Sequence, residues 1–447
     1  MSDQRRKVLF ITLEPIGKQM AGPAIRCVEL ATQLSCEFET AVFSPRPCDL
    51  PAEWSEKRGF QLAAGVSRSR LYELAAGYDV LFIQGNVLKP YPRLSGMGKY
   101  LVVDLYDPYL LSLLAQFEAD PISASASYRL MHQVLEKHMI AADFSVCASE
   151  RQRDYWIGRY CAVGRLTPEM HHFDTSLRKL IDVVPFGLPA GKPERTGQGM
   201  KGRVAGIADG DFVLLWGGGI WEWFDPLTVI QAVEALSQSH HRLKLFFMGW
   251  KSPNPQVPPM RMATRARALA QSLGVLDRNV FFGNDWIPYE ERVNYLLDAD
   301  AAVSAHFDLP ETRFSFRTRI LDYLWAGLPI LTTGGDHLAE LVETRGAGMA
   351  LAYGDVQAWS SAIGRLIEDP VLTSALSTNA TLLAEQFTWD KAAEPLRKFC
   401  RDPHHLPAFS RVTMPSIVER MSAVYSRGGR DLVMKRTRDV LEDFLRR

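Results

Sequence analysis

The chain has 447 residues, 47% hydrophobic and 23% charged, which is enough material for two or more cores. Lys plus Arg and Asp plus Glu number 51 each, so no charge excess argues for a nucleic-acid or acidic-polymer partner, and any recognition of charge must be local. The six cysteines (Cys27, Cys36, Cys48, Cys147, Cys161, Cys400) form no C-x-x-C pair and have no histidines at zinc-ligand spacing. The N-terminal apolar stretch is too short for a signal peptide, and no run of about 18 apolar residues occurs. The expectation is a cytoplasmic protein without a bound metal, at most peripheral to the inner face of a membrane.

In chain order, "KVLFITL" is a continuous apolar run that fits a strand buried on both faces of a parallel sheet. A glycine-containing loop, "EPIGKQMAGPA", and a run of helical period, "IRCVELATQLS", follow it. "ETAVFSP", "DVLFIQG", "YLVVDLYDP" and "FSVCASE" repeat the short apolar pattern, with helix-like segments such as "SYRLMHQVLEKHMIAA" between most of them. This alternation predicts a doubly wound α/β domain. At "IDVVPFGLPAGKPERTGQGMKG" Pro, Gly and charged residues take over, which reads as a linker. A second series then runs through "FVLLWGGG", "LKLFFMG", "NVFFGN", "AAVSAH" and "PILTTG", and beyond about residue 356 the pattern is helical. The expected organisation is two Rossmann-like domains, 1–188 and 206–390, a linker at 189–205, and C-terminal helices at 391–447 packing back on the first domain.

Ligands of open parallel sheets bind outside the carboxyl ends of the strands, where helix N-termini present free N–H groups. In "MAGPAIR", Gly22 begins a helix and lets backbone approach a phosphate or sugar, although glycine at such a turn often serves the turn alone. In "LLWGGGIWEWFDP" three glycines follow a buried strand; the loop fits neither G-x-G-x-x-G nor a P-loop, and Trp221 and Trp223 either meet a ligand or pack at a domain interface. "DLYDPY" ends a strand with two carboxylates, of which Asp104 equally suits a turn cap and Asp107 stands before a proline, where the chain leaves the sheet. In "FSFRTRILDYLWAGLPILTTGGD", Arg319 and Asp322 share one helix face and Arg317 lies at its start. A carboxylate accepts two sugar hydroxyls and guanidinium forks match phosphate oxygens, so this set suits a nucleotide sugar; an i,i+3 surface salt bridge is the plainer reading.

At these residues the sequence resembles the retaining glycosyltransferases of glycosyltransferase family 4, which have the GT-B fold. "RILDYLWAGLPI" has the layout of the family's donor-binding segment K-x-x-E-[AY]-x-A-x-G-x-P-[VI]. "MAGPAIR" looks like the N-terminal glycine loop and "VVPFGLP" like the interdomain junction. The resemblance implies that Asp322 holds the ribose hydroxyls and Arg319 stands for the family lysine. Of two family glutamates eight positions apart, the first falls on Phe314, and the nearest acid is Glu311. "GGGIWEWFDP" lacks the family's Arg and Lys, so Arg317 and Arg319 are expected to supply that charge, with backbone N–H groups near Gly218 and Gly219. Asp107 and Glu311 are the catalytic candidates; Gly22 and Arg26 belong to the acceptor and diphosphate loop.

The expected activity is sugar transfer without a metal, from a nucleotide sugar to a glycan, lipid-linked or small-molecule acceptor, in glycan or polysaccharide biosynthesis. The apolar "YLLSLLAQF" reads either as a core helix or as the receiver of a membrane-proximal acceptor. A sugar-nucleotide epimerase and a catalytically silent nucleotide-sugar-binding module remain the alternatives.

Overall fold

The computed structural model describes residues 5–116, 121–250, 260–283, 286–409 and 429–435, with a few further residues between 418 and 438. Residues 1–407 form one compact unit. Residues 408–447 form a second, in which residues 429–435 are helical. Most of the basic C-terminal segment read as helix lies outside the described residues.

Two parallel sheets organise the large unit. The first contains β1 (Lys7–Ile11), β2 (Glu39–Ser44), β3 (Gln61–Ala64), β4 (Val80–Gln84), β5 (Tyr100–Asp104), β6 (Phe144–Cys147) and β7 (Ile181–Val183), in the order β3-β2-β1-β4-β5-β6-β7. The second contains β8 (Phe212–Trp216), β9 (Leu243–Phe247), β10 (Val280–Phe282), β11 (Ala301–Ser304), β12 (Ile330–Thr333) and β13 (Gly348–Leu351), in the order β10-β9-β8-β11-β12-β13. Strand order reverses between β1 and β4 and again between β8 and β11, and in sheets of this kind ligands bind in the crevice at such a reversal, at the carboxyl ends of the strands.

Apolar side chains alternate between the two faces of these strands, as the pleat requires. Val8 and Phe10 join one core cluster while Leu9 and Ile11 join another, and all four are fully buried. Val213 and Leu215 part from Leu214 and Trp216 in the same way. Each such side chain contributes about 1.5–3 kcal/mol by burial, which explains why the central strands read as unbroken apolar runs. β3, β7 and β13 left no such run. They are edge strands of three or four residues, mostly half-buried, so their composition is not that of a two-sided interior strand.

The chain passes between the domains at two places that are bonded to each other. Leu188 N–H donates to Phe387 O at 2.6 Å, and Trp389 N–H donates to Leu188 O at 3.0 Å. Gly187 is required there, because a Cβ would stand 2.6 Å from the Trp389 ring. The stretch read as a linker is tied down at both ends. Ile181–Val183 are β7 of the first sheet. Arg195 pairs with Asp298 at 2.6 Å, Thr196 N–H donates to Asn294 at 2.8 Å, and Lys201 pairs with Asp300 at 2.8 Å, all in the second domain. After the second crossing, the helix Trp389–Arg401 packs on the first domain: Phe399 stacks on Phe144 at 4.7 Å, and Arg401 forks onto Glu37 with two 2.7 Å bonds.

Candidate functional site

The second-domain wall of the crevice starts where β8 runs into Gly217, Gly218 and Gly219. Gly217 N–H donates to the Tyr323 hydroxyl at 2.7 Å, and that hydroxyl donates to Val303 O at 3.0 Å, so the turn is pinned to the helix Thr318–Trp325. Gly218 has φ +75°, and nothing lies within 4 Å of where its Cβ would be. The turn is thus open to close approach by a ligand at this point. Gly219 sits between Trp286 and Trp221, and its carbonyl accepts from Arg319 Nη2 at 2.7 Å.

Two guanidinium groups flank one aromatic ring. Arg319 lies 4.0 Å from the Phe224 centroid and 4.8 Å from that of Trp216, and Arg317 lies 5.0 Å from Phe224. Burial and the neighbouring Arg317 charge, against a contribution from Tyr323, lower the Arg319 pKa to about 10. Arg317 directs Nη1 and Nη2 to the two oxygens of Glu311, at 3.0 and 2.6 Å. Arg317 Nε and Arg319 Nη1 are buried and have no hydrogen-bond partner among the described residues. Trp216 Nε1, Ser304 Oγ and His306 Nδ1 are in the same condition. His306 donates or accepts at Asp336 across 3.1 Å, both side chains fully buried, and Asp336 caps the helix His337–Thr344 through Leu338 N–H and Ala339 N–H. Unpartnered polar atoms inside a protein are uncommon; here five gather at the carboxyl ends of β8 and β11 and the start of one helix.

Three expectations meet a different geometry. Glu311 was expected near the reacting sugar, but its carboxylate is only 3% exposed and is taken up by Arg317 and the Ser315 hydroxyl. Its place is that of a counterion to Arg317. Asp322 is half-buried and accepts from Arg292 Nε at 3.2 Å, and Arg292 lies 3.8 Å from the Tyr289 ring. Arg292 was not singled out in the sequence, where it is one charge among many in "YEERVNYLLDADAA"; an arginine amid apolar residues on a short helix was the available signal. Arg26, expected at the diphosphate, is fully buried and is bound to Asp104 and Pro185 O instead. Asp104 lies in the interior because the i,i+2 alternation of β5 turns it towards the helix Gly22–Ser35.

On the first-domain wall, Gly22 is the first residue of that helix, its Cβ position faces open space, and Ala21 supplies no side-chain cap. The helix start therefore presents free N–H groups. Asp107 is exposed, yet protein crowds around it. That crowding, together with the Glu311 charge and against the pull of Arg317, pushes its pKa up to about 7. The Ser112 hydroxyl approaches it at 3.5 Å.

The walls touch along the rim. Trp286 Nε1 donates to Met20 O at 3.3 Å, Tyr289 N–H to Lys18 O at 3.1 Å, and Gln152 Nε2 to both Tyr106 O and Phe314 O at 2.8 Å. Arg151 reaches Gly335 O and Glu340, and Arg58 reaches Glu290. Trp221 and Trp223 stack at 5.8 Å and 11°. The first of them lines the glycine turn and the second packs on Phe224.

Comparisons with known proteins agree with this fold. Residues 211–369 match the model of the family described as glycosyl transferases group 1. D-inositol 3-phosphate glycosyltransferase from Actinosynnema mirum is 28% identical over 214 residues, 48% of this chain and 50% of that protein, so the match spans half of the relative's length. Among solved structures, HepE from Anabaena in complex with UDP and glucose has a TM-score of 0.64 at 14% identity, covering 89% of this chain and 99% of that one. Sucrose-phosphate synthase from Thermosynechococcus elongatus has a TM-score of 0.61 at 16% identity, covering 89% and 98%. The chain has the two-domain GT-B-like fold, and its second domain matches the glycosyl transferases of group 1.

Proposed function

We propose that the protein is a glycosyltransferase that moves a sugar from a nucleotide sugar to an acceptor hydroxyl, with retention of anomeric configuration and with fixed cations in the role a metal plays elsewhere. The observation that carries this reading is the pair Arg317 Nε and Arg319 Nη1, buried donors without partners among the described residues, with Arg319 bonded to Gly219 next to the open turn at Gly218. Negative charge grows on the departing diphosphate as the glycosidic bond breaks. Guanidinium and backbone N–H groups aimed at that charge before the reaction begins stabilise it with little reorganisation. Loss of one such donor typically costs about 10²–10³ in kcat. Asp322 takes the ribose hydroxyls through the carboxylate oxygen that Arg292 leaves free, and the acceptor approaches from Gly22 and Asp107.

The curated relative is named for transfer to inositol 3-phosphate, and one solved neighbour holds UDP with glucose. These support a nucleotide-sugar donor and leave the acceptor to be read from this chain. The helix Tyr109–Ala115 follows Asp107 directly, with Tyr109 42% and Leu114 50% exposed, and Ile122 beyond it is 87% exposed. We infer that this apolar edge receives a lipid-linked acceptor at a membrane surface. No helix among the described residues is long and apolar enough to cross a membrane.

The test is incubation with a panel of nucleotide sugars. Release of nucleoside diphosphate together with a glycosylated acceptor of unchanged anomeric configuration is the expected result. An altered sugar without transfer points to epimerisation, and binding without turnover to a silent module. Sedimentation with anionic vesicles at low salt, where charge attraction is least screened, is expected to bring the protein down; failure to do so favours a soluble acceptor.

A further inference from the structure

Arg26 takes no part in the ligand-facing surface, and the network around it indicates what it does instead. Its Nε and Nη2 reach the two oxygens of Asp104 at 2.9 and 3.1 Å, and Nη1 reaches Pro185 O at 2.9 Å, next to the first interdomain crossing. Asp104 also accepts from Tyr106 N–H and Gln84 Nε2, each at 3.2 Å. Gln84 in turn donates to Pro23 O at 3.0 Å and accepts from the Thr12 hydroxyl at 2.9 Å. The Arg26 guanidinium lies 4.8 Å from the Tyr106 ring, whose hydroxyl donates to Phe316 O at 3.5 Å, two residues before the helix carrying Arg319 and Asp322.

One fully buried pair therefore reaches four parts of the cleft, directly or through one neighbour: the helix start at Gly22 through Gln84 and Pro23, the turn leading to Asp107 through Tyr106 N–H, the crossing through Pro185, and the segment entering the donor helix through the Tyr106 hydroxyl and Phe316 O. Buried ion pairs are a weak source of stability, since both charges give up water and apolar substitutes often do as well. Their bonds are directional, however, and a bidentate carboxylate–guanidinium contact fixes angle as well as distance.

We propose that Arg26 and Asp104 are positioning residues that hold the acceptor wall in register with the interdomain crossing and the donor helix. This rests on the transferase reading above, and it predicts an effect on turnover with little effect on nucleotide affinity, because the nucleotide is held by the other domain.

Three variants test it: Asp104→Asn, Arg26→Lys, and the charge-free pair Arg26→Met with Asp104→Leu. In each, UDP affinity by calorimetry should stay within about twofold of the original, while kcat with a nucleotide sugar falls by about tenfold or more. Arg26→Lys should give no rescue, since an ammonium cannot reproduce the fork. Amide exchange at residues 105–107 and 186–188 should speed up by about tenfold relative to 213–216 in β8. A charge-free pair that regains both thermal stability and full kcat overturns the proposal, as does unchanged exchange in all three variants. If the unmodified protein turns over no nucleotide sugar, the transferase reading fails, and the exchange measurement alone decides whether the pair holds the crossing.

Discussion

On the first-domain wall of the crevice, Arg26 directs three of its N–H groups to Asp104 and Pro185, and every oxygen of Asp104 is shared with a further donor. On the second-domain wall, Arg319 has one protein partner, the Gly219 carbonyl, and its Nη1 has none among the described residues. Arg26 is fully buried and Arg319 half-buried, and both lie over aromatic rings. A guanidinium whose bonds close within the protein builds shape; one with a buried N–H left open is an incentive for an anion to enter. Sequence proximity to a glycine loop does not distinguish the two cases, because the partner that decides between them comes from elsewhere in the chain.

The sharpest way to break this comparison is Arg26→Ala. It strands Asp104 as a buried charge, and stability should fall by about 3–5 kcal/mol in urea denaturation; a loss under about 1 kcal/mol would show that the network is not closed as described. Arg319→Ala should act mainly on binding. It removes one bond to the Gly219 carbonyl and two ring contacts but strands no buried charge, so stability should fall by less than in Arg26→Ala, while UDP affinity by calorimetry falls by roughly 1.5–3 kcal/mol, the scale of a charge-assisted bond. Equal UDP affinity in the folded variant would remove Arg319 from the donor site. Asp322→Ala should weaken the same affinity by about 1 kcal/mol, since part of the carboxylate is already given to Arg292.

The smallest effect expected is one of pH. Asp107 titrates near 7 in the folded protein and near 4 when unfolded, so the folded state binds its proton more tightly. Stability from this group is complete below about pH 4 and is lost as pH rises to about 7. Turnover that needs the ionised carboxylate rises over the upper part of that window, from about pH 6 to 8. Asp107→Asn should flatten both profiles; a rise in kcat that survives in the variant assigns the titration to another group.

The architecture was legible because central parallel strands must be apolar on both faces. "KVLFITL" and "FVLLWGGG" therefore announce themselves, and the glycines that follow them sit at the crevice. The half-buried edges β3, β7 and β13 carry no comparable mark. Within the site, residue types were legible and partnerships were not. Arg26 and Asp104 stand 78 positions apart, and Arg292 and Asp322 stand 30 apart, so each pairing is decided by strand order. The Glu311–Arg317 pair is closer in sequence, yet it forms only because the chain turns sharply between the helix Pro310–Phe314 and the helix that follows.

The bonded crossings have a mechanical consequence. A body attached by one flexible strand can swing, twist and slide; one attached by two strands that are laced together at Leu188, Phe387 and Trp389 keeps little besides rotation about the line they define. Any opening of the crevice is then confined to a single path, like a book on its spine, and closure would bring Gly218 and Gly22 back to the same separation. A residue inserted on either side of Leu188 would unlace the spine, and the cost would be read as lost repeatability of closure while each domain by itself stayed intact.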